Sequence, residues 1–129
     1  MPLVRSLTVG PLLLILALTA NGLAAEEAPN LIDRTSKVSA EQVIDLLDEH
    51  DDLVIIDSSK PSDRSQGFIE NSIPLPYFDT TQQTLAMHIQ SKQTPVVFYC
   101  NGVKCGRSVT AATMAVEQGY SQLFWFRGD

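Results

Sequence analysis

The sequence predicts an α/β fold with a small, mostly parallel sheet flanked by helices. Two short apolar runs, 53–56 and 96–99, are continuous rather than alternating, as is typical of strands buried on both faces of a sheet. Helical patterns lie between and after these runs, and a third strand-like run follows at 123–126. Strands that alternate with helices favour a parallel sheet.

Residues 1–24 predict a secretory signal peptide. A cationic start at 1–5 leads into an uncharged apolar run at 7–20, followed by small residues up to Ala25. The apolar run is shorter than the roughly 20 residues that a membrane-spanning helix needs. We therefore expect cleavage after Ala24 and export, to a periplasmic location, without stable membrane insertion after cleavage. An uncleaved anchor or a buried N-terminal helix is the alternative.

The charge balance limits the classes of partner. Removal of the leader takes one of the nine Lys and Arg residues and none of the fifteen Asp and Glu residues, so the mature chain is strongly acidic. An acidic surface argues against nucleic acid or an anionic membrane as a partner. Two cysteines without nearby histidines also fall short of a structural zinc site, and no metal or cofactor is indicated.

The elements follow in order after the leader. Residues 25–37 indicate a linker and lead-in, in which Leu31 and Ile32 predict a short edge strand, and the domain is expected over 38–129. Ser39 and Gln42 have the spacing of a capping box, which opens a helix whose apolar stripe includes Val43.

The middle of the chain alternates between strand and helix signals. The first buried strand ends at Asp57, and 58–67 is a polar loop with room for one helical turn. Prolines favour short extended pieces within 68–76. A helix is then expected from Thr80 or Thr81 to about Ser91.

The second buried strand, 96–99, ends directly at Cys100. A loop with two glycines and two cations follows, and 108–118 predicts an alanine-rich helix ended by Gly119. In an open parallel sheet, sites form at the carboxyl ends of strands where a loop leads into a helix. The strand–Cys100–loop–helix stretch is therefore the predicted functional site.

The Cys100 thiol is the predicted nucleophile. Loop N–H groups and the positive end of the following helix favour its thiolate, as do Lys104 and Arg107. A thiolate needs no separate base. Gly102 and Gly106 permit the positive φ angles of an anion cradle. The predicted substrate-binding residues are Asn101, Gly102, Val103, Lys104, Gly106, Arg107 and Ser108.

Cys105 is the second cysteine, five positions after Cys100. A disulfide between them would close a very short loop and stabilise the fold little, so a redox or nucleophilic pair is the better explanation. Three interpretations stay open. Cys105 is a resolving thiol that releases sulfur by pairing with Cys100, a protective disulfide partner, or a simple loop residue.

These residues together resemble a single-domain rhodanese. The resemblance depends on the Cys100–loop–Arg107–Ser108 stretch, on Asp57 after the first strand, on Gly67-Phe68-Ile69-Glu70-Asn71-Ser72-Ile73-Pro74 and on Gly119-Tyr120 before 123–128. It spans about 38–128. It implies a three-layer rhodanese-like fold. The sequence departs from the family pattern at three places. The loop between Cys100 and Arg107 is longer than usual, which also leaves Cys105 near the active position. Phe68 replaces the usual histidine, and Ser59 stands where an arginine often follows the aspartate.

The resemblance implies sulfur transfer. Cys100 would take a sulfane sulfur from a thiosulfate-like anion, hold it as a persulfide and pass it to a thiol or cyanide-like acceptor. Asp57 would be structural, tying down the loop after its strand. Two alternatives stay open: a non-catalytic binding module, and a thiol-disulfide or arsenate-type reductase that uses Cys100 and Cys105 together. No protein partner is indicated.

Overall fold

The computed structural model describes residues 27–129 and contains a five-stranded sheet with helices on both faces. All pairs in the sheet are parallel, in the strand order β1-β5-β4-β2-β3. The predicted α/β class with a parallel sheet is confirmed. In chain order the elements are β1 Ser36–Val38, α1 Ala40–Glu49, β2 Val54–Asp57, α2 Pro61–Arg64, β3 Ile73–Pro74, a 3₁₀ turn Tyr77–Asp79, α3 Gln82–His88, β4 Val96–Tyr99, α4 Arg107–Glu117 and β5 Leu123–Phe126.

Side chains of the central strands alternate between the two faces of the sheet and build a three-layer core. Phe98 and Trp125 are fully buried on the face covered by α3 and α4. Val97 and Tyr99 pack on the opposite face with Leu46 of α1. Strands covered on both sides need apolar residues at every position, which is why their sequence runs are continuous.

Side-chain caps fix the starts of α1 and α3. The Ser39 side chain accepts from the Gln42 N–H and the Gln42 side chain accepts from the Ser39 N–H, which confirms the predicted capping box of α1. Thr81, not Thr80, caps α3. That helix ends at His88 rather than near Ser91, because Ile89 adopts an extended backbone and buries its side chain in the core.

The predicted edge strand at Leu31 and Ile32 is wrong. The edge strand β1 begins at Ser36 and pairs with β5. The Ile32 carbonyl accepts hydrogen bonds from the Thr35 N–H and hydroxyl, at 3.2 and 2.8 Å, and Arg34 has a positive φ of 59°. These residues form a turn that leaves Leu31 exposed and buries Ile32.

The segment before β1 packs against the rest of the chain. Ala28 is buried, and its N–H donates to the Val103 carbonyl at 2.7 Å. The buried Arg127 donates to the carbonyls of Pro29 and Ala28 at 3.1 and 2.9 Å. The lead-in therefore shares a core with the domain. The predicted bounds of the domain stay a prediction.

The predicted signal peptide, 1–24, lies outside the described residues. Within residues 27–129, no helix has both the length and the apolar character needed to cross a membrane.

Candidate active site

Cys100 lies at the carboxyl edge of the sheet, directly after the central strand β4. Strand β2 ends beside it, because Asp57 pairs with Tyr99 and the Ser58 N–H donates to the Tyr99 carbonyl at 2.8 Å. The loop 101–106 then leads into α4. This is the strand–loop–helix junction that the sequence predicts, at the edge where parallel α/β sheets form their sites.

Cys100 and Cys105 form a disulfide, with their Cα atoms 6.2 Å apart. Two interpretations of Cys105, the resolving thiol and the protective partner, need contact between the two sulfur atoms. The disulfide provides this contact. The structure holds the oxidised form of this pair. The functional role of Cys105 stays a prediction.

The sulfur of Cys100 lies at the N-terminus of α4 beside Ser108. The Ser108 N–H donates to Cys100 Sγ at 3.3 Å, and the Ser108 Oγ lies 3.2 Å from the same sulfur. The indole N–H of Trp125 donates to the Ser108 Oγ at 2.9 Å. Since a disulfide sulfur carries no hydrogen and the serine oxygen already accepts from Trp125, the hydroxyl hydrogen is available to donate to Cys100. Two donors from one residue therefore converge on this sulfur.

The sulfur of Cys105 has a different environment. The Nη1 atom of Arg107 lies 3.7 Å from Cys105 Sγ. The same nitrogen contacts the Asp63 carboxylate at 3.4 Å, and the guanidinium lies 6.0 Å from the centre of the Tyr77 ring. Cys105 is 8% exposed and lies beside an open cavity of about 330 Å³, which is lined by Tyr77, Lys104, Cys105, Gly106, Arg107 and Thr110.

The backbone of the loop agrees with the prediction only in part. Gly102 has a positive φ of 106°, as expected, whereas Gly106 has a φ of −83° and is the N-cap of α4. The expected positive φ at Gly106 is therefore wrong. The Cys105 N–H bonds to the Gly102 carbonyl at 2.9 Å, so this donor faces the loop itself. A Cβ on Gly128 would lie 3.0 Å from the Cα of Gly102, so the end of the chain supports the loop closely.

The predicted site residues divide into two groups. Cys100, Cys105, Arg107 and Ser108 are brought into mutual contact. The other predicted residues form the loop around this contact, with Asn101, Lys104 and Gly106 exposed and Gly102 and Val103 half-buried. Whether these residues bind a substrate stays a prediction.

Asp57 anchors the loop after β2. Its Oδ1 accepts from the Ser59 N–H at 2.9 Å and also from the Ser59 hydroxyl. Its Oδ2 accepts from Arg64 Nη1 at 2.9 Å, and Arg64 also donates to the Ser72 hydroxyl and carbonyl at 2.9 and 3.0 Å. Asp57 is 1% exposed, so its carboxylate lies away from water. The carboxylate has the structural position that the family resemblance implies.

Tyr99 extends this anchor to β3. Its hydroxyl accepts from the Ile69 N–H at 3.0 Å and lies 3.1 Å from the Ser72 hydroxyl. Burial raises the pKa of Tyr99 above its usual 10.0, while hydrogen bonds from Ser72 and Ile69 act in the opposite direction and the nearby Asp57 charge adds to the rise. The neutral phenol is thus the form that the folded chain favours.

Sequence reasoning missed four residues around the site. Trp125 orients Ser108, Arg64 pairs with Asp57 and lies 3.9 Å over the Phe68 ring, and Asp63 and Tyr77 flank Arg107. An arginine seven positions after Asp57 was the one available signal, since a buried carboxylate needs a cation. Within residues 27–129, no three His, Cys, Asp or Glu side chains are grouped to hold a metal ion.

Known structures of the same fold include two single-domain sulfurtransferases. The human one shares 18% identity with this chain, covering 73% of this chain and 90% of that one, with a TM-score of 0.58. The Saccharomyces cerevisiae one shares 18% identity, covering 74% and 85%, with a TM-score of 0.56. A Bacillus halodurans protein shares 19%, covering 73% and 68%, with a TM-score of 0.60. At such identities the similarity shows the fold alone.

Comparison of the sequence with curated proteins gave no significant match. The family of rhodanese-like domains matches residues 39–129, which is well over half of the chain. The match includes the Asp57 anchor, the Cys100 loop and the Trp125 strand, and the sheet has the parallel arrangement expected from the family. The chain therefore belongs to the rhodanese-like domain family.

Proposed function

We propose that this protein is a sulfurtransferase whose nucleophile is Cys100. The observation that carries the proposal is the position of the Cys100 sulfur, which receives the Ser108 N–H at the N-terminus of α4 and lies 3.2 Å from the Ser108 hydroxyl. Donors fixed in this way stabilise negative charge on sulfur, both in a thiolate and in a persulfide. Membership of the rhodanese-like family supports the same chemistry.

The proposed cycle has two displacement steps. The Cys100 thiolate attacks the sulfane sulfur of a thiosulfate-like donor, the sulfur–sulfur bond of the donor breaks, and sulfite leaves with the bonding electrons. The acceptor, a thiol or cyanide-like nucleophile, then attacks the outer sulfur of the Cys100 persulfide, and Cys100 leaves as the thiolate. Lys104 on the loop and Arg107 at the start of α4 supply positive charge for the anionic donor.

The disulfide favours a second candidate. A reductase of the thiol-disulfide or arsenate type would oxidise Cys100 and Cys105 to the disulfide seen in the structure while reducing its substrate. A non-catalytic binding module, by contrast, requires neither sulfur to react. The reductase needs this disulfide to be reduced in every turnover, whereas the sulfurtransferase needs it reduced only before the first, because its cycle returns Cys100 as the thiolate.

Export is part of the proposal. The order of cationic, apolar and small residues in 1–24 supports a signal peptide that is removed. Disulfides persist in oxidising compartments outside the cytosol. A periplasmic location therefore agrees with a resting disulfide between Cys100 and Cys105.

The test follows sulfur into the protein. The chain is reduced, freed of reductant, incubated with thiosulfate, and examined by intact mass with a parallel assay for sulfite. We expect sulfite release and a mass increase of one sulfur atom that a reductant removes. Cys105→Ser should accumulate this persulfide, because no neighbouring thiol can discharge it, and Cys100→Ser should show neither product.

The outcomes separate the three functions. Sulfur incorporation in Cys100→Ser at the wild-type level would overturn the assignment of the nucleophile. Wild-type protein that takes no sulfur but reduces arsenate with a thiol reductant would support the reductase, and protein inactive in both assays would support the binding module.

A further inference from the structure

The two sulfur atoms of the Cys100–Cys105 disulfide are chemically unequal. A thiolate that attacks a disulfide bonds to one sulfur and expels the other, and the sulfur that is better stabilised as a thiolate leaves faster. The surroundings of each sulfur therefore decide which one a reductant attacks.

Cys100 is the better leaving group. Its sulfur accepts the Ser108 N–H at 3.3 Å at the N-terminus of α4, and the Ser108 Oγ lies 3.2 Å away with its orientation set by Trp125. Ser108 is 2% exposed, so these donors act with little competition from water. The Cys105 carbonyl oxygen lies farther from this sulfur, at 3.4 Å, so charge that develops on Cys100 as the disulfide breaks meets the two closer Ser108 donors first.

Cys105 is the better point of attack. Its sulfur has one cationic neighbour, Arg107, which shares its charge with Asp63 and is 30% exposed, so solvent screens the interaction. Cys105 is 8% exposed, and it lines the open cavity of about 330 Å³ together with Lys104 and Arg107. An attacking thiolate that enters here meets two cations and the Cys105 side chain.

We propose that Cys105 is a thiol-exchange site that takes a dithiol reductant, with Cys100 as the leaving thiolate. The thiolate of the reductant bonds to Cys105 Sγ, the Cys100–Cys105 bond breaks, and its electron pair leaves on Cys100. The second thiol of the reductant then loses its proton and attacks the reductant sulfur that is bonded to Cys105. The bond between that sulfur and Cys105 breaks, and Cys105 leaves as a thiolate that takes up this proton. The reductant becomes a disulfide, and the pair gains two electrons and, at Cys105, one proton.

This inference rests on the proposed function, since the step delivers Cys100 in the form that accepts sulfur. It also separates the duties of the two cysteines. Cys105 exchanges with the reductant, and Cys100 becomes reactive without carrying the reductant itself.

The test maps the first covalent product without any sulfur donor. Oxidised wild-type protein is mixed with glutathione and quenched early with N-ethylmaleimide, which traps the freed thiolate before it closes the disulfide again. Trypsin cleaves after Lys104 and Arg107, so the two cysteines fall on different peptides. We expect glutathione on Cys105 and maleimide on Cys100. Glutathione mainly on Cys100, an even distribution, or no exchange would each overturn the proposal.

A variant tests the cause. Ser108→Ala removes the hydroxyl donor, so exchange at Cys105 should slow by roughly tenfold and the glutathione should shift toward Cys100. Ser121→Ala, an exposed serine that bonds to the Lys92 carbonyl, is the control and should exchange like wild type. An unchanged rate and distribution in a folded Ser108→Ala protein would contradict the assigned polarity. Because thiosulfate is absent, this result is independent of whether the reduced protein takes up sulfur.

Discussion

At the scale of single residues, Ser108 connects the core to the sulfur of Cys100. Its hydroxyl accepts the indole N–H of the fully buried Trp125 and is left free to donate to Cys100. A buried hydroxyl that accepts one hydrogen bond and donates another has one favoured orientation. The packing of Trp125 on β5, the strand that follows α4 in the sequence, therefore sets the position of the Ser108 hydroxyl at Cys100.

Ionisation of Tyr99 should make the free energy of unfolding depend on pH in the alkaline range. In the unfolded chain tyrosine ionises near pH 10.0, whereas burial raises the pKa of Tyr99 in the folded chain. Above pH 10 the unfolded state therefore loses this proton first, and the free energy of unfolding should fall until the pH passes the folded pKa. Tyr120, whose pKa burial also raises, should add to the fall.

Denaturant titrations of wild type and Tyr99→Phe at several pH values between 8 and 11 check this expectation. The variant should be less stable at pH 8, because the Ile69 N–H and the Ser72 hydroxyl lose a partner, but its stability should fall less steeply with pH. Parallel pH profiles for the two proteins would contradict the assignment to Tyr99.

The sequence predicted the residues of the site that are close in the chain, and missed those that are distant. Cys100, Arg107 and Ser108 follow one another from strand to helix, so their proximity is local. Trp125 reaches Ser108 only because β5 pairs beside β4, a contact that no pattern in the sequence specifies. Gly106 shows the same limit in the loop, since glycine permits a positive φ but does not require one.

At the scale of elements, the short helix α2 is held by charge rather than by apolar packing. None of its residues is buried, but Arg64 at its end pairs with the buried Asp57 of β2 and with Ser72 before β3. The Arg64 side chain is 17% exposed. One cation therefore fixes the positions of three neighbouring elements at the carboxyl edge of the sheet.

Asp57→Asn should destabilise the protein by about 3 kcal/mol, since loss of one partner of a buried ion pair leaves the other charge uncompensated. Chemical denaturation measures the change. Asp33→Asn is the matched control, because Asp33 pairs with Arg34 on the surface with its side chain 95% exposed, and we expect no measurable change there. Equal effects of the two substitutions would refute the anchoring role of Asp57.

The order of elements was predictable because each central strand and helix carries its own signal. Continuous apolar runs marked β2, β4 and β5, and the Ser39 capping box marked α1. Strand β1 carried no such signal, because its residues Ser36 and Lys37 are exposed and only Val38 is buried. Its position is decided by pairing with β5. Of the apolar Leu31 and Ile32, which resembled a strand, Ile32 begins a turn that ends at Thr35.

At the scale of the whole molecule, the segment before β1 belongs to the same core as the α3 and α4 face. Ile32 is 8% exposed and packs with that cluster, whereas its neighbour Leu31 is 72% exposed. Arg127 ties the segment to the other end of the chain through the carbonyls of Ala28 and Pro29. Both ends of the described chain thus close around the Cys100 loop.

Ile32→Ala should lower the free energy of unfolding by about 2 to 3 kcal/mol, because it removes buried methylene groups and leaves a cavity. Leu31→Ala, the adjacent exposed residue, should have little effect. Denaturant unfolding of the two variants provides the comparison. If both substitutions proved equally mild, the segment would be a linker, as the sequence indicated, and not part of the core.

The pairing of β1 with β5 has a consequence for the time at which the chain folds. Ser36 lies beside Phe124, so the first strand of the sheet finds its partner only when the last strand is present. Contacts between residues so far apart in sequence carry a large loop-closure entropy and slow the folding transition. Strands β2, β3 and β4 can pair before β5 is available, but the five-stranded sheet is complete only after β5 has formed and received β1.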